Sequence, residues 1–190
     1  MVEFLVFLGL IALVFIYGVT IYNGLVTLRE NVKKAWANID VLLRQRHEEI
    51  PKLVETCKQY MGYEQETLER VMAARARVSA AQSQGNVGEL GKAESQLRMG
   101  LGNLFAVAEQ YPELKASESF QHLQARISTL EESIADRREF YNESVNRNNI
   151  RIAHFPDLII ARWFSFTEAE LLEFSAEELT DVNVKALFGS

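Results

Sequence analysis

The sequence predicts an all-α protein: an N-terminal transmembrane helix followed by an antiparallel up-and-down four-helix bundle. Three observations predict it. Only 3 prolines and 10 glycines interrupt 190 residues, too little punctuation for a chain of short strands. Apolar residues recur at intervals of three and four, the spacing of one helix face. From Phe4 to Leu28 no charged side chain occurs, and a helix needs only about 20 apolar residues to cross a bilayer.

That first run, FLVFLGLIALVFIYGVTIYNGLVTL, reads as a retained span. A cleaved signal peptide would have a basic start and a small-residue cleavage site. Here Glu3 is the only charged side chain before the run, and no A-x-A-like site follows. Tyr17 and Tyr22 suit the distal interface. Arg29, Lys33, Lys34 and Arg44 follow the run and no Lys or Arg precedes it. The positive-inside rule then expects the N-terminus outside and the rest in the cytoplasm. The expected organisation is an anchor over 1–28, a helical bundle over 29–166 and an acidic tail over 167–190. The lipid bilayer is the first expected partner.

Next comes a stripe of Leu25, Val32, Trp36, Ile39 and Leu43, and then a second of Leu53, Cys57, Tyr60, Leu68, Val71 and Val78. Pro51 stands between them. Proline disrupts a helix interior but suits a first turn, so the sequence expects a turn just before Pro51. That placement yields helices of comparable length, as a bundle requires. The alternative is one long helix kinked at Pro51, packed with two further helices; the stripe near Trp36 would then lack partners. SQGNVGELG (83–91) has the glycines and asparagine of a helix end and turn. A third helix carries Val87, Leu90, Leu97, Leu101, Leu104 and Ala108 inward, and YPELKAS ends it. A fourth starts near Ser117 and carries Phe120, Leu123, Ile127, Leu130, Ile134, Tyr141, Val145 and Ile152. The residue before a proline disfavours helix, so Phe155-Pro156 stops it.

Composition excludes several functions. The net charge is −6, and most of it resides in the tail, where Glu168, Glu170, Glu173, Glu177, Glu178 and Asp181 face Lys185 alone. The body between is balanced, so it offers no basic face for nucleic acid. Cys57 has no cysteine to pair with and lies on an apolar stripe, so it reads as a core residue. His47-Glu48 resembles the start of H-E-x-x-H, but Pro51 stands where the second zinc-binding histidine belongs. His47 is expected as a polar residue in a turn. No nucleophile elbow, phosphate loop or paired cysteine ligands occur. The expectation is no catalytic residue, no metal, no cofactor and no small-molecule substrate.

Three groups are candidates for interaction instead. Asn142, Asn146 and Asn149 form a polar stripe beside the apolar one, suited to an interhelical network or a partner face. Glu64 interrupts the inward face of the second helix, as Arg137 and Arg138 interrupt that of the fourth. A cross-bundle ion pair between Glu64 and one of these arginines is therefore expected. FPDLIIARWFSF (155–166) is the most apolar stretch outside the anchor. Phe155, Leu158, Ile159, Arg162, Trp163, Phe164 and Phe166 would suit a membrane interface. If the fourth helix returns towards the anchor, that segment meets the bilayer; otherwise it caps the bundle's open end.

Two blocks carry a resemblance. YNGLVTLRENVKKAWANIDVLLRQRHEEIPKLVETCKQYMGYEQETLERVMAAR and RREFYNESVNRNNIRIAHFP resemble, in order, the two signatures of the LemA family, over about residues 20–166. The resemblance implies an anchored helical bundle at the bacterial inner membrane, facing the cytoplasm, with no established catalytic residues. Such genes often lie near those of membrane-associated proteases, an association that names no partner; the expected protein partner is unidentified, with the chain itself and a membrane protease as the candidates. Tyr63 stands where the family often has His, and Ser165 where it usually has Gly; the latter bears on the turn before Phe166. The resulting expectation is a non-enzymatic interaction or scaffolding protein, or alternatively an adaptor or regulatory subunit of a membrane protease.

Overall fold

A computed structural model describes residues 1–173, and among them every regular element is a helix. In chain order these are α1 (Val2–Lys58), α2 (Gln65–Gln84), α3 (Val87–Ala108), α4 (Pro112–Lys115), α5 (Glu118–Ala153) and α6 (Asp157–Trp163). The all-α expectation holds. The expected acidic tail falls outside the described residues from Phe174 onward. The chain forms two compact units, one of Met1–Ile39 with Arg137–Leu171, the other of Asp40–Asp136 with the chain from Leu172. Helices α1 and α5 each contribute a stretch to both.

In the second unit, segments of α1 and α5 join α2 and α3 around one core. The buried positions follow a regular rhythm. Among the buried positions of α1 here are Leu43, Arg46, Ile50, Leu53 and Cys57, and among those of α3 Leu90, Glu94, Leu97, Leu101, Leu104 and Ala108. Steps of four and three alternate in both, the 3.5-residue repeat of helices packed nearly parallel or antiparallel. Gly85, with φ 66°, ends α2 in the left-handed region, and the Asn86 side chain accepts from the Glu89 N–H to start α3. Glycine takes that φ without steric cost, so two residues suffice to reverse the chain. Burial pushes the Cys57 thiol up to about 12, which leaves it an inert core residue, as expected.

Pro51 corrects the sequence reading. Neither a turn before it nor a helix running on through 83 is found. Instead α1 passes through Pro51 and ends at Lys58, and the break falls at residues 59–64. Tyr60, expected inward, stands exposed in that break. His47 is consequently a helical residue, half-buried, and not a turn residue. Proline at position 51 removes the N–H that would bond the His47 carbonyl. Arg75 of α2 replaces it, its Nε donating to the His47 oxygen at 3.0 Å. The same arginine, after burial itself, holds the His47 imidazole below its usual range.

In the first unit α5 runs antiparallel to α1. Trp36 stacks near Tyr141 with centroids 5.3 Å apart. One helical stretch further on, Ile21 and Leu25 share a cluster with Ile152 and Ala161. The fourth long helix therefore returns to the apolar end of α1, where α6 begins.

Candidate functional site

Segment 155–166 is built onto that end. Asp157 opens α6, is buried, and pairs with Arg151 of α5. An acid in a first turn also complements the helix dipole. The far end closes on a Schellman pair: the Phe166 N–H donates to the Ala161 oxygen at 2.9 Å and the Ser165 N–H to the Arg162 oxygen at 3.3 Å. That motif needs a left-handed residue between them, and Ser165 takes it with φ 55°. The position at which the resemblance implies glycine is thus a left-handed one. The turn sends Phe166 back onto α1, where it lies 5.9 Å from the Tyr22 ring and beneath the Arg29 guanidinium at 5.2 Å. Phe164 approaches Tyr22 more closely, at 4.7 Å. Leu158 and Phe166 are half-buried, whereas Phe155, Ile159, Arg162, Trp163 and Phe164 are exposed.

The asparagine stripe splits by role. Asn149 is a two-way clamp: its Nδ2 donates to the Ala169 oxygen and its Oδ1 accepts from the Ala169 N–H, both at 2.9 Å. Asn148, which the sequence reading passed over, is buried and donates to the same Oδ1 at 3.1 Å. Tyr141 adds a hydroxyl bond to the Glu170 oxygen at 2.8 Å. Asn142 is half-buried and Asn146 exposed. Residues 167–171 are therefore held by backbone atoms, in a manner indifferent to their side chains. In the other unit, Leu172 is buried and Glu173 passes so close to Gly91 that a Cβ there would stand 1.9 Å from its carbonyl oxygen.

Asn149→Leu is expected to release residues 167–171. Chymotryptic cleavage after Phe166 or Leu171 should accelerate several-fold while far-UV helix signal is retained. A cleavage rate equal to that of the parent chain would show that the clamp does not hold the segment.

Glu64, expected in an ion pair, accepts from the Tyr111 hydroxyl at 3.4 Å. Arg137 is exposed and lines a groove with Lys34 and Asn38, while Arg138 is half-buried. The buried ion cluster lies elsewhere. Arg46 of α1 is 1% exposed and donates through Nη2 to both Glu94 oxygens, at 2.6 Å to Oε1. Its Nη1 donates to Glu131 Oε1 at 2.7 Å. Glu94 is 2% and Glu131 21% exposed. Burial opposes the Arg46 charge, but the two carboxylates outweigh it and raise its pKa. Beside this cluster, buried Glu49 meets Arg126 at 3.0 Å and Lys52 at 3.2 Å. Sequence reasoning gave Arg46, Glu49 and Glu94 no inward role. The signal it missed is the four-three rhythm itself, in which Arg46 and Glu94 both occupy core positions.

The cluster ties α1 to α3 and α5 within the second unit. Among the described residues no group of three or more His, Cys, Asp or Glu is gathered as a metal site.

Among the described residues, one helix long and apolar enough to cross a membrane, continuing into an all-helical body with an ion pair in its core, defines a membrane-associated helical protein. The comparisons give the family. The sequence model of the LemA family matches residues 35–186, and the chain belongs to that family. Magnetosome protein MamQ 2 of Paramagnetospirillum magneticum is 25% identical over 190 aligned residues, covering 88% of this chain and 70% of the relative. Magnetosome protein MamQ of Magnetospirillum gryphiswaldense is 25% identical over 172, covering 78% and 63%. Protein LemA of Metamycoplasma hominis is 25% identical over 167, covering 87% and 74%. None of these names denotes an enzyme.

Proposed function

We propose that the protein is a membrane-anchored interaction or scaffolding protein of the bacterial inner membrane, without catalytic activity of its own. The observation that carries this reading is α1. Its first part exposes an unbroken apolar surface, and the same helix continues, without a linker, into the buried stripe of a packed helical core. An element of that kind anchors a body to the bilayer and presents its faces to partners. The basic residues Arg29, Lys33 and Lys34 support an N-terminus outside and a cytoplasmic body. Partners are then proteins, a second copy of the chain or a membrane-associated protease; with the latter the chain is an adaptor.

Two measurements test this. A reporter active only in the cytoplasm, fused after Ser190, should work, and a periplasmic reporter should not; the reverse pattern overturns the orientation. Gentle detergent extraction of the native protein should recover a stoichiometric protein partner. Recovery of a protease subunit selects the adaptor role, self-association alone selects the scaffold, and a monomer that turns over a substrate refutes both.

A further inference from the structure

We infer that α6 is a second membrane contact: its outer face lies in the leaflet next to the helical body, and the groove between α6 and α1 takes lipid acyl chain. The inference rests on the reading that α1 spans the bilayer.

The first argument is where burial begins along α1. Residues 1–17 are exposed on every side, Gly18 is the first half-buried position and Ile21 the first buried one. From Val2 to Ile21 a helix rises about 30 Å at about 1.5 Å per residue, the thickness of the hydrocarbon core. Protein packing thus starts where the bilayer should end, and α6 supplies that packing. The Ile160 Cδ1 lies 3.9 Å from the point where a Cβ on Gly18 would stand.

The second argument is what α6 leaves uncovered. Ala161 is buried and Ile160 half-buried against α1. The opposite face carries Ile159 and Trp163, four apart and 53% and 79% exposed, and Phe155, in the turn just before α6, is 78% exposed. A helix facing water would carry polar groups there. Exposed Arg162 adjoins this face, with an apolar stem and a charged head that can reach the phosphate level. Aromatic residues with a neighbouring cation are the pattern of a membrane-interface helix.

The third argument is continuity. A groove of about 650 Å³ opens between Val14, Gly18 and Tyr22 of α1 and Ile160 and Trp163 of α6 with Phe164 just beyond it. Its α1 wall belongs to the span, so whatever solvates the span also reaches the groove. At that depth the solvent is acyl chain. A loose α6 would not keep such a groove. The pairing of buried Asp157 with the half-exposed Arg151 and the Schellman turn at Ser165 fix both of its ends.

The test uses the full chain in proteoliposomes. In a Trp36→Phe background Trp163 is the only tryptophan. Lipids brominated near the headgroup end of their acyl chains should remove more of its emission than lipids brominated near the chain terminus. Because Trp36 packs on Tyr141, the parent chain and Trp163→Phe are measured as well; the quenching lost in Trp163→Phe reports the same residue. Emission insensitive to bromine, in protein that resists alkaline extraction, overturns the inference while leaving the anchor intact. Stronger quenching from the chain terminus overturns the interfacial depth. Emission governed by the protein-to-lipid ratio and not by bromine assigns the face to a second copy, and also overturns it. Protein that alkali strips from the vesicles refutes the anchor and this inference together.

Discussion

Glu94→Leu is expected to destabilise the second unit by about 3–5 kcal/mol, although it places a better core residue at a core position. The reason is what remains. Arg46 is held at 1% exposure, and a guanidinium cannot shed its proton to escape burial. With Glu94 gone, only Glu131 faces it, and the Arg46 Nε already lacks a partner among the described residues. Arg46→Met together with Glu94→Leu should reverse the loss. A buried ion cluster replaced as a whole by apolar side chains is commonly neutral or more stable by about 1–4 kcal/mol. Glu131, at 21% exposure, can turn to water. Urea unfolding of the detergent-solubilised chain, followed by far-UV circular dichroism, measures both variants. If the single variant matches the parent chain, Arg46 is not buried as described; if the double variant stays as weak as the single one, the cost lies in packing and not in charge.

What the cluster contributes is then specificity more than stability. A core of Leu and Ile at alternating steps of four and three tolerates sliding by one repeat, since each layer resembles the next. One arginine on α1 with acids on α3 and α5 satisfies only one register, much as a single polar core residue does in coiled coils. A scaffold whose faces must be presented in fixed relation has a use for that device.

The parts of this structure visible in sequence are those set by local chemistry. Apolar periodicity located α3 and α5 and nearly all their buried apolar residues, though not the buried polar ones. Gly85 and Asn86 marked a turn because φ and capping are properties of one or two residues. The return of α5 towards the anchor followed from counting helices, and the apolar stretch at 155–166 was evident from composition. The failures share one cause, a partner distant in sequence. Arg46 and Glu94 were passed over because charged side chains are rarely buried, and only their mutual pairing allows it. The asparagine stripe was visible, but not that Asn149 would grip the backbone of Ala169. Glu64 and the arginines at 137 and 138 were matched by chain position without knowledge of the units that hold them. Ser165 is the instructive middle case. The resemblance flagged it as a departure, and the left-handed turn explains why the departure falls there. Serine in that region carries strain of about 1–2 kcal/mol relative to glycine.

Pro51→Ala should stabilise the second unit by about 1–2 kcal/mol: an interior proline costs about 3 kcal/mol relative to alanine, less about 1–2 kcal/mol for the half-buried ring removed. The sequence placed a turn here because proline lacks the N–H that the carbonyl four residues back requires. That inference is sound for an isolated helix. It fails because Arg75 of α2 reaches across and donates to the His47 oxygen, so the missing bond is made from another element and the helix need not break. Two consequences separate this account from a mere tolerance of proline. In the parent chain Arg75→Leu leaves a part-buried carbonyl without a donor and should cost about 1–3 kcal/mol. In the Pro51→Ala background the alanine N–H supplies the donor, and the same Arg75→Leu change should cost under about 1 kcal/mol, the value of one ordinary bond. The coupling between positions 51 and 75 in this cycle is thus positive and larger than its error. A cycle that closes to zero would mean that Arg75 is incidental to the helix, and the continuity of α1 through Pro51 would then need another cause.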